Sequence, residues 1–99
     1  MSTLGRYFVY ILASRKYGAL YVGVTSDLIA RTYIHREDLS AGQSSRYHIH
    51  NLVYFEQHED IDAAIMREKR IKKWRRQWKI ELIEQANPEW HDLYSDLLG

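Results

Sequence analysis

Two short runs of β-branched and aromatic residues, Arg6 to Ala13 (RYFVYILA) and Leu20 to Val24 (LYVGV), are separated only by a short link, SRKYG, that carries the turn residue Gly18. Such a pair reads as a β-hairpin, and the rest of the chain must cover a sheet. Thr25-Ser26-Asp27 offers capping oxygens ahead of LIARTYIHREDL, which has helical spacing, so a first helix is expected from Asp27 to Leu39. Ser40 to Arg46 (SAGQSSR) reads as a loop and Asn51 to Gln57 (NLVYFEQ) as a third strand. From Ile61 to Glu84 there is no Gly or Pro, which predicts one long helix capped by Asp60 or Asp62 and ending before Asn87-Pro88. Pro88 suits the first turn of a short closing helix, PEWHDLYSDLL, with Asn87 as its cap. The order β-β-α-β-α-α predicts an α+β fold, a three-stranded, mainly antiparallel sheet flanked by helices.

Composition narrows the function classes. Ninety-nine residues, 45% hydrophobic and 13% aromatic, suffice for one core, so residues 1–99 are expected to form a single domain. The absence of cysteine excludes a disulfide scaffold, a cysteine nucleophile and a thiolate zinc site. Met1 to Gly5 lacks the basic-then-apolar order of a signal peptide, and no apolar run approaches the roughly 20 residues that span a bilayer. A cytoplasmic protein with no membrane partner is expected.

A net charge of +1 argues against a phosphate-bearing partner until the charges are located. Between Arg67 and Lys79 (REKRIKKWRRQWK) lie eight of the 14 basic residues, with Glu68 as the only acid. The chain is therefore locally polarised, and Lys69, Lys72, Lys73 and Arg76 are candidate nucleic-acid contacts. Trp74 and Trp78, spaced i and i+4, add an apolar seam. Glu68 lies within about 60° of Ile61, Ala64, Ile65, Ile71 and Leu82 on a helical wheel, the face expected to dock on the sheet. A carboxylate there must be paired, with Lys72 or Arg75 in reach, or must bind a cation.

Tyr10 and Tyr21 sit on the two hairpin strands. A register that pairs them directly sets them side by side, and a slip of one residue puts them on opposite faces. Gly23 shares the face of Tyr21 and leaves a gap there. Arg31 and His35 are neighbours on the first helix. A guanidinium that can fork onto phosphate oxygens, beside an imidazole that can accept a proton, suits phosphate chemistry. His48 and His50 alternate on an extended segment, but without further ligands at usable spacing they read as surface residues.

The order FVY at 8–10, YVG at 21–23, then Arg31, His35 and a late Glu68 within REKRIKKW resembles the GIY-YIG nuclease family. The likeness runs to the closing NPEWHDL and is nearest to the small stand-alone bacterial members. Phe8 and Val9 stand where the family name has Gly and Ile. The resemblance implies a metal-dependent, structure-tolerant endonuclease acting on DNA in repair or recombination. Tyr10 would be the tyrosine of the first motif, and Tyr21 and Gly23 would belong to the second. Arg31 would stabilise the pentavalent phosphate, His35 would receive a proton, and Glu68 would anchor one Mg²⁺ or Mn²⁺ ion. A tyrosine hydroxyl, Tyr21 or Tyr10, would act on the attacking water. Asn87 is the candidate for the family's late supporting asparagine, and equally suits a helix cap. Arg46 and Tyr47 of the 40–50 loop would join the basic helix in holding the strand. No zinc ribbon or helix-turn-helix is marked, so sequence-specific cleavage is not expected from this chain alone, and a protein partner would supply targeting. Two other readings stand beside this one: a nucleic-acid-binding module of the same fold with little or no turnover, and a protein-interaction subunit presenting Trp74, Trp78 and the basic band.

Overall fold

A computed structural model describes residues 6–37 and 49–99, and in it three strands form one antiparallel sheet of order β2-β1-β3. These are β1 (Tyr7–Ala13), β2 (Leu20–Thr25) and β3 (Asn51–His58). β1 takes the centre because Val9 to Ala13 are all apolar or aromatic and all buried, leaving no side of the strand for water. Alternation along it feeds two cores. Val9, Ile11 and Ala13 pack with Val22 and Val53 on one face, and Tyr10 and Leu12 pack with Leu28 and Leu52 on the other.

Four helices complete the described fold: α1 (Leu28–Arg36), α2 (Ile61–Lys73), α3 (Arg76–Ala86) and the single turn α4 (Tyr94–Leu97). Asp27 caps α1 by accepting from the Ala30 N–H at 3.1 Å, and Asp60 caps α2 by accepting from the Ala63 N–H at 2.9 Å. Of the two candidate caps for the second helix, Asp60 is therefore the one used. The expected loop with Arg46 and Tyr47, His48, and the predicted helix end at Leu39 lie outside the described residues. Among the described residues no helix is long and apolar enough to cross a membrane.

The expected single helix over 61–84 is in fact two. Trp74 and Arg75 adopt extended backbone, with ψ of 150° and 155°, between α2 and α3. Helical phase supplies the reason. Ile71, Ile80 and Ile83 are buried in the same core, yet at roughly 100° per residue an unbroken helix would turn Ile80 to the side opposite Ile71. Two extended residues reset the phase, and Trp74 fills the corner against the core.

The predicted closing helix is also corrected. Residues 88–93 are not helical, and Trp90 occupies the left-handed region at φ 59°. Asn87 ends α3 rather than starting a helix. Its backbone N–H donates to the Ile83 carbonyl at 2.8 Å. Its side-chain amide donates to the carbonyls of Val53 and His91, both at 2.9 Å, and its Oδ1 accepts from the His91 N–H at 3.0 Å. A helix starting at Pro88 would forfeit those bonds and pull Trp90 from the core.

The end of α1 is clamped to the chain terminus. Arg36 pairs with Asp92 and lies over the Tyr94 ring at 4.7 Å. Asp92 Oδ1 also accepts from the backbone N–H groups of Leu52, at 3.1 Å, and Tyr94. Asp92→Ala leaves the Leu52 amide and Arg36 without that acceptor, so the urea midpoint is expected to fall by the equivalent of about 1–3 kcal/mol.

Candidate active site

The strand register decides whether the two hairpin tyrosines meet. Tyr10 is opposite Gly23 and Tyr21 is opposite Leu12, so the tyrosines are not direct partners. They are offset by two residues, which keeps them diagonal on one face. Their ring centroids are 6.4 Å apart. The Tyr10 ring crosses β2 over Gly23, where a Cβ would collide with its hydroxyl and Cζ. Gly23 is thus the gap through which the Tyr10 side chain passes.

α1 brings His35 onto this pair. The imidazole lies 5.1 Å from the Tyr21 ring and 6.1 Å from the Tyr10 ring, and its Nε2 is 3.3 Å from the Tyr10 hydroxyl. Tyr10 is 2% exposed, whereas Tyr21 is half-buried. Burial pushes the Tyr10 hydroxyl well above the usual tyrosine range; Tyr21 and Glu68 push the same way and Arg31 opposes them. Tyr10 therefore keeps its proton beside His35. Burial lowers His35, and the charges of Arg31 and His50 lower it further, so the ring is neutral at neutral pH.

Arg31 stands one turn before His35 and is exposed, with a charge felt by both Tyr10 and His35. Glu68 projects from α2 and is only 7% exposed, and its charge is felt by Tyr10. Five of the residues singled out by sequence, Tyr10, Tyr21, Arg31, His35 and Glu68, are thus linked by contact or field, with Gly23 as the gap between strands.

Glu68 already holds a cation: the Lys72 ammonium lies 2.5 Å from its Oε2. A buried carboxylate that attracts a positive charge from the solvent side fits a hard divalent ion, which commonly takes one or two carboxylates and completes its shell with water and substrate phosphate. Among the described residues no group of three or more His, Asp or Glu could hold a metal ion. The other carboxylate of note, Glu56, is fully committed. Arg67 donates to it from Nε at 2.9 Å and Nη2 at 3.3 Å, and Tyr54 and His58 bond to it as well.

Other candidates lie elsewhere. The three side-chain bonds of Asn87 all go to backbone of β3 and the 88–91 turn, not to the tyrosines. Arg76 donates from Nη2 to the carbonyls of Tyr17 at 2.6 Å and Gly18 at 2.7 Å, bracing the hairpin turn. Lys69 and Lys73 are exposed, and Lys72 sits on Glu68. His50, expected as a surface residue, is placed differently. It stands just before β3, is half-buried and acts electrostatically on His35. Local spacing holds no signal for a contact made through the fold.

Residues 6–81 match the model of the GIY-YIG catalytic domain. UPF0213 proteins of Staphylococcus aureus strains Mu3, Mu50 and N315 are each 35% identical over 79 residues, covering 80% of this chain and 95% of theirs. No solved structure matches the chain.

Proposed function

Because the chain belongs to the GIY-YIG catalytic domain family, a nuclease superfamily, we propose that it is a divalent-metal-dependent endonuclease that hydrolyses DNA phosphodiesters. The observation that carries the reading is the hydrogen bond between the buried Tyr10 hydroxyl and the neutral His35 imidazole. It supports a coupled proton relay. Tyr10 is held too high to stand as a free phenolate, so it passes its proton to His35 Nε2 as it accepts one from the attacking water. The water oxygen then bonds to phosphorus as the P–O ester bond opposite breaks. The leaving oxygen takes up the displaced electron pair and a proton from solvent. Tyr21, more open than Tyr10, orients the water and phosphate, and Arg31 offsets the charge that develops on the phosphate oxygens. A divalent ion held by Glu68 would supply positive charge at the scissile phosphate and leaving oxygen.

The test is cleavage of end-labelled single-stranded, duplex and flap DNA by purified protein. Cutting that requires Mg²⁺ or Mn²⁺ and stops in EDTA is expected, and cutting that survives EDTA contradicts the reading. The pH profile adds a second check. His35 must be neutral to accept the proton, and its pKa is held below the usual 6.5. Activity should therefore rise along an acid limb whose midpoint lies below 6.5. His50→Asn removes one of the depressing charges, so the midpoint should move upward. Stability follows the same sign: His35 contributes fully above about pH 6.5, and the contribution is lost as pH falls through the folded-state pKa.

A further inference from the structure

At the junction of α2 and α3 a cleft of about 430 Å³ is lined by Arg67, Trp74, Trp78, Glu81, Leu82 and Gln85. Resting on the proposed nuclease function, we propose that this cleft is a second nucleic-acid subsite: it takes an unstacked base of a single strand that leaves the active site across the outer face of α2.

The two indoles form the receptor. Their centroids are 6.1 Å apart with the planes at 82°, so they make an open corner. Trp74 is fixed by packing on the core, whereas Trp78 is 47% exposed. Each ring has a guanidinium over one face, Arg67 at 5.2 Å from Trp74 and Arg75 at 5.0 Å from Trp78. Arg67 itself lines the cleft beside Trp74, so the site joins indole faces to a guanidinium, a combination that serves base stacking. Glu81 and Gln85, one turn apart on α3, put an acceptor and an amide at the cleft for the edge of a base.

The route between the two sites is set by the phase of α2. Ala64 and Ile71 mark its buried side. At roughly 100° per residue, Arg67 lies about 50° to one flank of that side and Glu68 about 50° to the other. The contacts agree: Arg67 bonds to Glu56 of β3, and the Glu68 charge reaches Tyr10. From the Glu68 flank to the Arg67 flank, the outer face carries Lys72, Lys69, Lys73 and Arg70 in that order, all exposed. The wheel thus makes a cationic path that starts beside the active site and ends at the tryptophan corner. A phosphate backbone complements it, and stacked duplex bases do not offer themselves to the corner.

The experiment uses the full chain in EDTA, so that binding is read without cleavage. A short single-stranded oligothymidylate should quench tryptophan fluorescence and raise anisotropy, and a blunt duplex should bind without the quench. Trp78→Ala should weaken the single strand by roughly 5- to 150-fold, the span of one base–aromatic stack, and Trp78→Phe should recover most of it. Charge reversal at Lys69 and Lys73 should flatten the salt dependence. If Trp78→Ala fails to give a native circular dichroism spectrum, Gln85→Glu at an exposed position replaces it and should also weaken binding. Wild-type affinity in the folded variant overturns the proposal, as does a wild type that binds no single strand. A dimer that dissociates on Trp78→Ala with oligonucleotide affinity unchanged assigns the cleft to a second copy of the chain and likewise overturns it. Cleavage by the wild type with no Trp78 effect sinks the subsite alone. Stacking in the cleft without any cleavage supports the subsite and sinks the endonuclease reading.

Discussion

Gly23→Ala is expected to lower DNA cleavage by about 10²–10⁴-fold, the range attached to a lost positioned acid–base group, through a methyl that touches no substrate. The new Cβ would overlap the Tyr10 hydroxyl and Cζ. A flexible chain end could step aside, but this ring is 2% exposed, packed with Leu12 and Leu52, and bonded to His35. The ring must therefore rotate or β2 must shift, and either move lengthens the Tyr10–His35 bond on which the relay depends. Overpacking of this kind costs about 1–3 kcal/mol, so the urea midpoint should fall while the chain stays folded. Tyr10→Phe should show comparable loss of cleavage without the strain. In a Tyr10→Ala background the same glycine change should cost little stability, because the obstructing ring is gone. Additive stability losses in that cycle would refute the collision.

The parts of the fold that depend on local pattern were legible in the sequence. The hairpin, the cap within Thr25-Ser26-Asp27 and the third strand come from runs of β-branched and aromatic residues, turn residues and capping oxygens within a few positions of one another. The α2–α3 break was legible in principle. No Gly or Pro marks it, but Ile71 and Ile80 fall on opposite sides of an ideal helix while both are large and apolar. Reading phase as well as breakers would have exposed it. The left-handed residue of the hairpin turn was not legible: Tyr17, at φ 62°, takes it rather than Gly18. What holds Tyr17 there comes from far along the chain. Its hydroxyl donates to Glu84 at 2.9 Å, its ring packs on Trp90 at 5.3 Å, and Arg76 grips its carbonyl. Gly18 is needed for space, since a Cβ would strike Ser14 and Arg15.

The site divides along the same line. The resemblance in motif order and spacing singled out Tyr10, Tyr21, Arg31, His35 and Glu68, each at a regular position in a strand or helix. Roles set by register and by contacts through the fold were out of reach. Which tyrosine hydroxyl meets His35 Nε2 depends on Tyr10 facing Gly23. Asp92 holds the end of α1 from 56 positions away, and His50 acts on His35 only because β3 carries it there.

Glu68→Gln should lower metal-supported cleavage by about 10²–10³-fold, the scale of removing one preorganised electrostatic element, with little change in fold. The amide keeps the shape of the carboxylate on α2 and removes its charge. The partner left behind, Lys72, is 54% exposed and can return to water, so the loss of their ion pair should cost under about 1 kcal/mol. Metal binding can be read separately from catalysis. An ion that binds the folded chain and not the unfolded one raises Tm by mass action. Mg²⁺ should therefore stabilise the wild type and leave Glu68→Gln unmoved. Lys72→Met should bring the wild-type response to lower Mg²⁺, since the ammonium and the ion compete for one carboxylate. An equal Tm response in wild type and Glu68→Gln would place the ion elsewhere. A lysine salt bridge on the proposed anchor thus has a functional reading: with no divalent ion bound, Lys72 supplies the positive charge that a buried carboxylate requires, and it lies on the exposed side from which an ion and a phosphate would arrive.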